Sequence, residues 1–142
     1  MIYEAKVVKI KYMEDYEGSI HININNILLF VCYLAPYDFV KEYLCINTTI
    51  PIDFWLFYGT AKKNNIPLKY FPDNLAIAGG IIKGQITKVF SSHEFRIDCG
   101  PLEIDILNET SIELSVGEYI EIEGTYQIFF PGTDYTKEAT WD

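Results

Sequence analysis

The sequence predicts an all-β fold: two pseudo-repeated five-stranded small barrels, OB-like or SH3-like, packed together. Three observations predict it. Apolar and polar residues alternate with period two along most of the chain, as half-buried strands require. Turn residues punctuate the alternating runs. The second half also repeats much of the pattern of the first.

In the first half, strands are expected near residues 3–12, 19–26, 27–35, 43–48 and 50–58. Ile20, Ile22 and Ile24 alternate with His21, Asn23 and Asn25, and Asn25-Asn26 marks a turn. The next run, from Ile27 to Ala35, is apolar on both faces at Leu28 and Phe30, so its outer side needs a cover. Phe54, Trp55, Leu56, Phe57 and Tyr58 close this half. Strict alternation sends Phe54, Leu56 and Tyr58 one way and Trp55 and Phe57 the other.

In the second half, strands are expected near 81–90, 93–99, 102–107, 119–124 and 125–130. A shift of 75 positions lays Ile20, Ile22 and Ile24 on Phe95, Ile97 and Cys99, and Asn25-Asn26 on Gly100-Pro101. A shift of 76 then lays Val40, Glu42, Tyr43 and Ile46 on Val116, Glu118, Tyr119 and Ile122. The expected organisation is a first β unit over 1–58, an irregular linker over 59–80 and a second β unit with a tail over 81–142. Leu68, Tyr70 and Phe71 of the linker are apolar enough to pack on a barrel, and Tyr135 and Trp141 are candidate anchors of the tail.

The run Gly84 to Val89, the hairpin Phe95 to Leu107 and the stretch Val116-Gly117-Glu118-Tyr119-Ile120-Glu121-Ile122-Glu123-Gly124 resemble an OB-fold. The last of these is similar to the lead into the fourth strand of many small barrels. The resemblance covers about a third of the chain and implies a ligand face on the outer side of strands two and three. OB-folds bind oligonucleotides, oligosaccharides or proteins, so the likeness alone leaves the ligand open.

The net charge is −9, and it is uneven: residues 81–142 carry 4 basic and 12 acidic side chains, whereas 1–80 carry 7 and 8. Such a chain repels a phosphate backbone, which argues against nucleic acid. Glu94, Asp98, Glu103 and Asp105 alternate on the implied face, with Glu121 and Glu123 nearby. The expectation is an acidic face that docks a basic protein, against a plainer role as a solvated face that keeps the chain soluble and blocks edge aggregation. The concrete form of the docking reading is a non-enzymatic, immunity-type inhibitor of a basic, nuclease-like toxin. The alternatives are an OB-like module for nucleic acid or a small ligand, and a small carboxylate-using barrel enzyme.

No motif with catalytic spacing occurs. Ser91, Ser92, His93 and Glu94 are adjacent in sequence, and a triad needs groups converging from separate elements. Cys32, Cys45 and Cys99 lack paired spacing and read as buried reduced thiols. Two histidines and three scattered cysteines make no zinc site, and no calcium loop is present. No cofactor is expected. Trp55 and Phe57 are candidates for a binding hot spot, against a plainer role in the core or at a junction between the halves. The apolar runs are too short to span a bilayer, and no charged-then-apolar leader opens the chain, so a cytoplasmic protein is expected.

Overall fold

The computed structural model describes residues 1–72 and 80–137. It contains eight strands and one short helix: β1 (Ile2–Met13), β2 (Gly18–Ile24), β3 (Ile27–Tyr33), α1 (Tyr37–Tyr43), β4 (Thr49–Lys63), β5 (Gly80–Val89), β6 (Glu94–Asp98), β7 (Glu103–Asn108) and β8 (Tyr119–Phe129). All eight strands join one sheet in the order β1-β2-β3-β8-β4-β7-β6-β5. Further pairings of β1 with β4 and of β8 with β5 close the sheet into a ring.

Alternation does what it predicts locally. Ile20, Ile22 and Ile24 are fully buried, while His21 and Asn23 are half-buried on the opposite side. Ile97, Ile104 and Ile106 do the same in the second half. Each such side chain stabilises the fold by roughly 1.5–3 kcal/mol through burial. They belong to one continuous core that also takes in Phe54, Leu56, Tyr126 and Ile128 from the long strands β4 and β8. The β2–β3 turn is made by Asn25 and Asn26, at φ of 50° and 66°. Positive φ at both central residues is the geometry of a tight hairpin turn, and asparagine tolerates it.

Several expectations are corrected. The strand expected over 43–48 does not form: Tyr37–Tyr43 is helical and Asn47 turns the chain with φ of 68°. Pro36 starts that helix, and Phe39 and Tyr43, about one turn apart, stack on one side of it, a contact that a strand would hold too far apart to make. The match of Val40–Ile46 to Val116–Ile122 therefore lays a helix on a loop and strand. The two strands expected over 119–130 are one continuous strand, β8. β4 runs on to Lys63, into the segment expected to be irregular from Gly59.

Of the linker residues, Phe71 is buried and stacks on Tyr126, whereas Leu68 and Tyr70 stay largely exposed. Tyr135 packs against Phe39 of α1. Trp141 and residues 73–79 lie outside the described residues. Cys99 is buried, but Cys45 is exposed in the turn after α1 and Cys32 is half-buried. No described helix is long and apolar enough to cross a membrane.

Candidate ligand-binding face

The carboxylates expected to form an acidic docking face are mostly engaged. Arg96 Nε donates to Asp105 Oδ1 at 2.7 Å, and the Met1 amino group also contacts Asp105. Lys69 bridges Asp98 at 2.8 Å, and Lys137 bridges Glu94 at 2.9 Å. Glu121 receives both Lys62 and Lys83. Glu103 and Glu123 form no ion pair among the described residues. Asp105 is also buried, at 4% exposure, so it presents little charge to a partner. Lys69 comes from the 59–80 segment and Lys137 from the tail, which sequence alternation could not bring onto this face.

The side-chain hydrogen bond from Lys69 holds the Asp98 carboxyl below its ordinary range, with the Gly100 N–H also lowering it. Lys63 does the same for Glu118, and Lys62 for Glu121.

Trp55 and Phe57, the aromatic hot-spot candidates, are buried with Phe129 in a small separate cluster. Lys137 Nζ sits 4.0 Å from the centroid of the Trp55 ring. Tyr58, by contrast, breaks from the inward side on which Phe54 and Leu56 lie. A bulge falls between Phe57 and Thr60, Tyr58 adopts φ of 53°, and its side chain is 67% exposed. Bulges re-aim side chains in this way.

His93 is fixed in its turn, with Nδ1 at 3.2 Å from the Asn108 carbonyl oxygen. Among the described residues no group of histidine, cysteine and carboxylate side chains could hold a metal ion.

The first half carries a different surface. On the outer side of β1–β2–β3, three rows cross the strands: Lys6, Asn23 and Leu28; Lys9, His21 and Phe30; Tyr12, Ser19 and Cys32. Two bulges in β1, between Val7 and Lys9 and between Ile10 and Tyr12, put Lys6, Lys9 and Tyr12 on one side at three-residue spacing. Regular alternation would have sent Lys9 inward beside the buried Val7. Period-two alternation alone does not gather these lysines: the spacing that does so exists only once the bulges form.

Lys6, Lys9 and Lys11 form no ion pair among the described residues. Of the other basic residues, only Lys88 shares that state, and it lies over the Phe90 ring. His21 meets the Phe30 ring edge-on, with centroids 5.2 Å apart. Burial first, then Lys11 and Lys9, lower the His21 pKa and favour the neutral imidazole. This surface thus combines uncompensated positive charge with an aromatic ring, a neutral imidazole and an amide. Such groups suit a small anion, or an anion carrying a ring.

No family model matches the chain, and no curated protein matches it in sequence. Among solved structures, it is similar to the cytoplasmic molybdate-binding protein ModG crystallised with molybdate bound. The TM-score is 0.53 at 11% identity, over 92% of this chain and 96% of that one. At that identity the likeness concerns the fold, and it agrees with a small barrel-like β architecture.

Proposed function

We propose that this protein is a non-enzymatic binding module made of two intertwined five-stranded barrels of OB type, and that it takes a small anionic ligand on the outer face of β1–β2–β3. The observation that carries the reading is the uncompensated trio Lys6, Lys9 and Lys11 beside His21 and Phe30. Among the described residues no carboxylate forms an ion pair with these exposed lysines, so an anion reaching the face meets positive charge that is not already neutralised. That face is the outer side of strands two and three, where OB-type barrels hold ligands.

The pairings support the intertwined reading. β1 joins β2 and β4, as β5 joins β6 and β8. β3 runs parallel to β8, as β7 runs parallel to β4. Val7 pairs with Ile22 just before a bulge, and Ile86 pairs with Ile97 just before another. Each ring would then use its own meander and parts of both long strands. ModG's molybdate is an oxyanion, the ligand class that lysines and N–H donors accept, so its ligand agrees with a reading that rests on the lysines. A basic protein partner on the acidic flank draws less support, because Glu94, Asp98, Asp105 and Glu121 already hold cations.

Calorimetric titration with molybdate, sulfate, phosphate and a mononucleotide tests the proposal. At least one should bind saturably, and the Lys9→Gln/Lys11→Gln variant should weaken it by about tenfold or more. No saturable anion binding, or binding indifferent to those lysines, would overturn it.

A further inference from the structure

Next to the lysine rows, at the β1–β2 turn, lies a cavity of about 260 Å³ whose walls include Tyr12, Glu17, Cys32, Tyr33, Tyr58 and Gln127. Its character is opposite to that of the lysine face. Among the described residues, no basic side chain lines it and Glu17 forms no ion pair. Its tyrosines come from three strands, and two of them are open to a ligand: Tyr12 is 44% exposed and Tyr58 67%.

Two features point to an occupant. Tyr33 is 1% exposed, and its hydroxyl has no hydrogen-bond partner among the described residues. That hydroxyl lies against Gly18, itself part of the cavity wall. An unmet buried hydroxyl is costly, and a ligand N–H that reaches its oxygen, after a small shift of the Gly18 wall that covers it, would remove part of the cost. Tyr58 reaches the wall only because its backbone is held in the left-handed region at the β4 bulge. A bulky aromatic residue rarely accepts that conformation, which is typical of sites where a side chain has to be aimed.

We propose that this cavity binds an organic ammonium group, with Glu17 as counter-ion, the rings of Tyr12 and Tyr58 as cation–π surface, and the Tyr33 hydroxyl oxygen as acceptor of one ammonium N–H. Aromatic rings around a single carboxylate are the usual receptor for such cations. The negative character of the cavity is felt by its walls. Burial raises the Cys32 thiol pKa and Glu17 adds to it; Tyr12 is raised by burial, Cys32, Glu17 and Glu14. The ammonium could belong to a free amine or to a lysine side chain of another protein, and the chemistry is the same.

Titration of the full chain with n-butylammonium and, separately, with a capped lysine peptide, followed by NMR, tests this. Saturable shifts confined to the cavity residues are expected for at least one probe. A free-amine site should take butylammonium best, a protein-recognition site the peptide. Glu17→Gln should weaken binding by about tenfold or more, and Tyr58→Ala and Tyr33→Phe should weaken it several-fold. Lys9→Gln should leave it unchanged, so failure here is separable from failure of the anion reading. Thermal melts of each variant confirm that it is folded. No saturable shift with either probe, or equal affinity in folded Glu17→Gln, would overturn the assignment.

Discussion

Arg96 and Asp105 stand directly opposite each other on β6 and β7, with Nε 2.7 Å from Oδ1. Asp105 is the buried carboxylate of the described residues, so this pair differs from the surface ion pairs around it. Removing Arg96 leaves buried Asp105 with the Met1 amino group as its remaining cation, and a buried carboxylate that loses its bidentate partner loses more than an exposed one would. Arg96→Ala should therefore cost about 2 kcal/mol in urea denaturation, less than the loss for a buried charge left wholly unpaired. Lys62→Ala, which removes a partner of Glu121 at a largely exposed site, should cost under about 1 kcal/mol. Equal losses would mean that Asp105 is well solvated.

Gly18 faces the Tyr33 ring so closely that an added Cβ would overlap the ring's hydroxyl end and crowd the Tyr12 carbonyl oxygen. Gly18→Ala should destabilise by about 2 kcal/mol, the usual scale of overpacking. Tyr33→Phe alone should be neutral to mildly stabilising, because the buried hydroxyl it removes has no partner among the described residues. Combining the two should recover only part of the loss, since the ring carbon and the Tyr12 carbonyl oxygen still crowd the new methyl. Full recovery in the double variant would show that the hydroxyl alone sets the constraint.

Stability should fall off at both ends of the pH scale, for opposite reasons. Asp98, Glu118 and Glu121 are held below their ordinary values of 3.8, 4.5 and 4.5 by lysines. What those pairs contribute is present above the ordinary carboxylate range and is lost as pH falls through the lower folded values. Tyr33 is pushed up from 10.0 to about 12 by burial, with Tyr12 adding to it. The folded state keeps that proton after the unfolded chain has lost it, so stability declines as pH climbs from 10 towards 12. Tyr126 shifts the same way, also through burial. Denaturation midpoints across the pH range check both limbs. Tyr33→Phe should flatten the alkaline limb and Asp98→Asn should soften the acid one.

How much of this was legible in the sequence depends on the range of the interaction involved. The meanders were, because alternation at Ile20–Ile24 and at Phe95–Cys99 is a local signal that burial then enforces. The helix at Tyr37–Tyr43 was not, because its Phe39 and Tyr43 also fit a strand until Tyr135 and Phe130 arrive to pack on Phe39. The pairing of the acidic face with lysines was not legible, because Lys69 and Lys137 come from segments 29 and 43 positions away from their partners. The lysine face was missed because period-two reasoning has no way to see a bulge. Tyr58 was turned the wrong way for the same reason.

Tyr58 offers the sharpest check on that last point. At φ of 53° a tyrosine pays the steric penalty of Cβ against its own carbonyl. Asparagine tolerates this region, and glycine has no Cβ to clash, though it loses more chain entropy on folding. A β-branched residue fits it worst. The ring itself contributes little to offset this, being 67% exposed with one tilted neighbour, Phe57, at 5.9 Å. Tyr58→Asn should therefore be at least as stable as the parent, Tyr58→Gly within about 1 kcal/mol of it, and Tyr58→Val less stable by about 1 kcal/mol or more. Chemical denaturation ranks the three. If valine proved as stable as asparagine, the bulge would be absent and Tyr58 would point inward with Phe54 and Leu56, closing the cavity wall that the amine site requires.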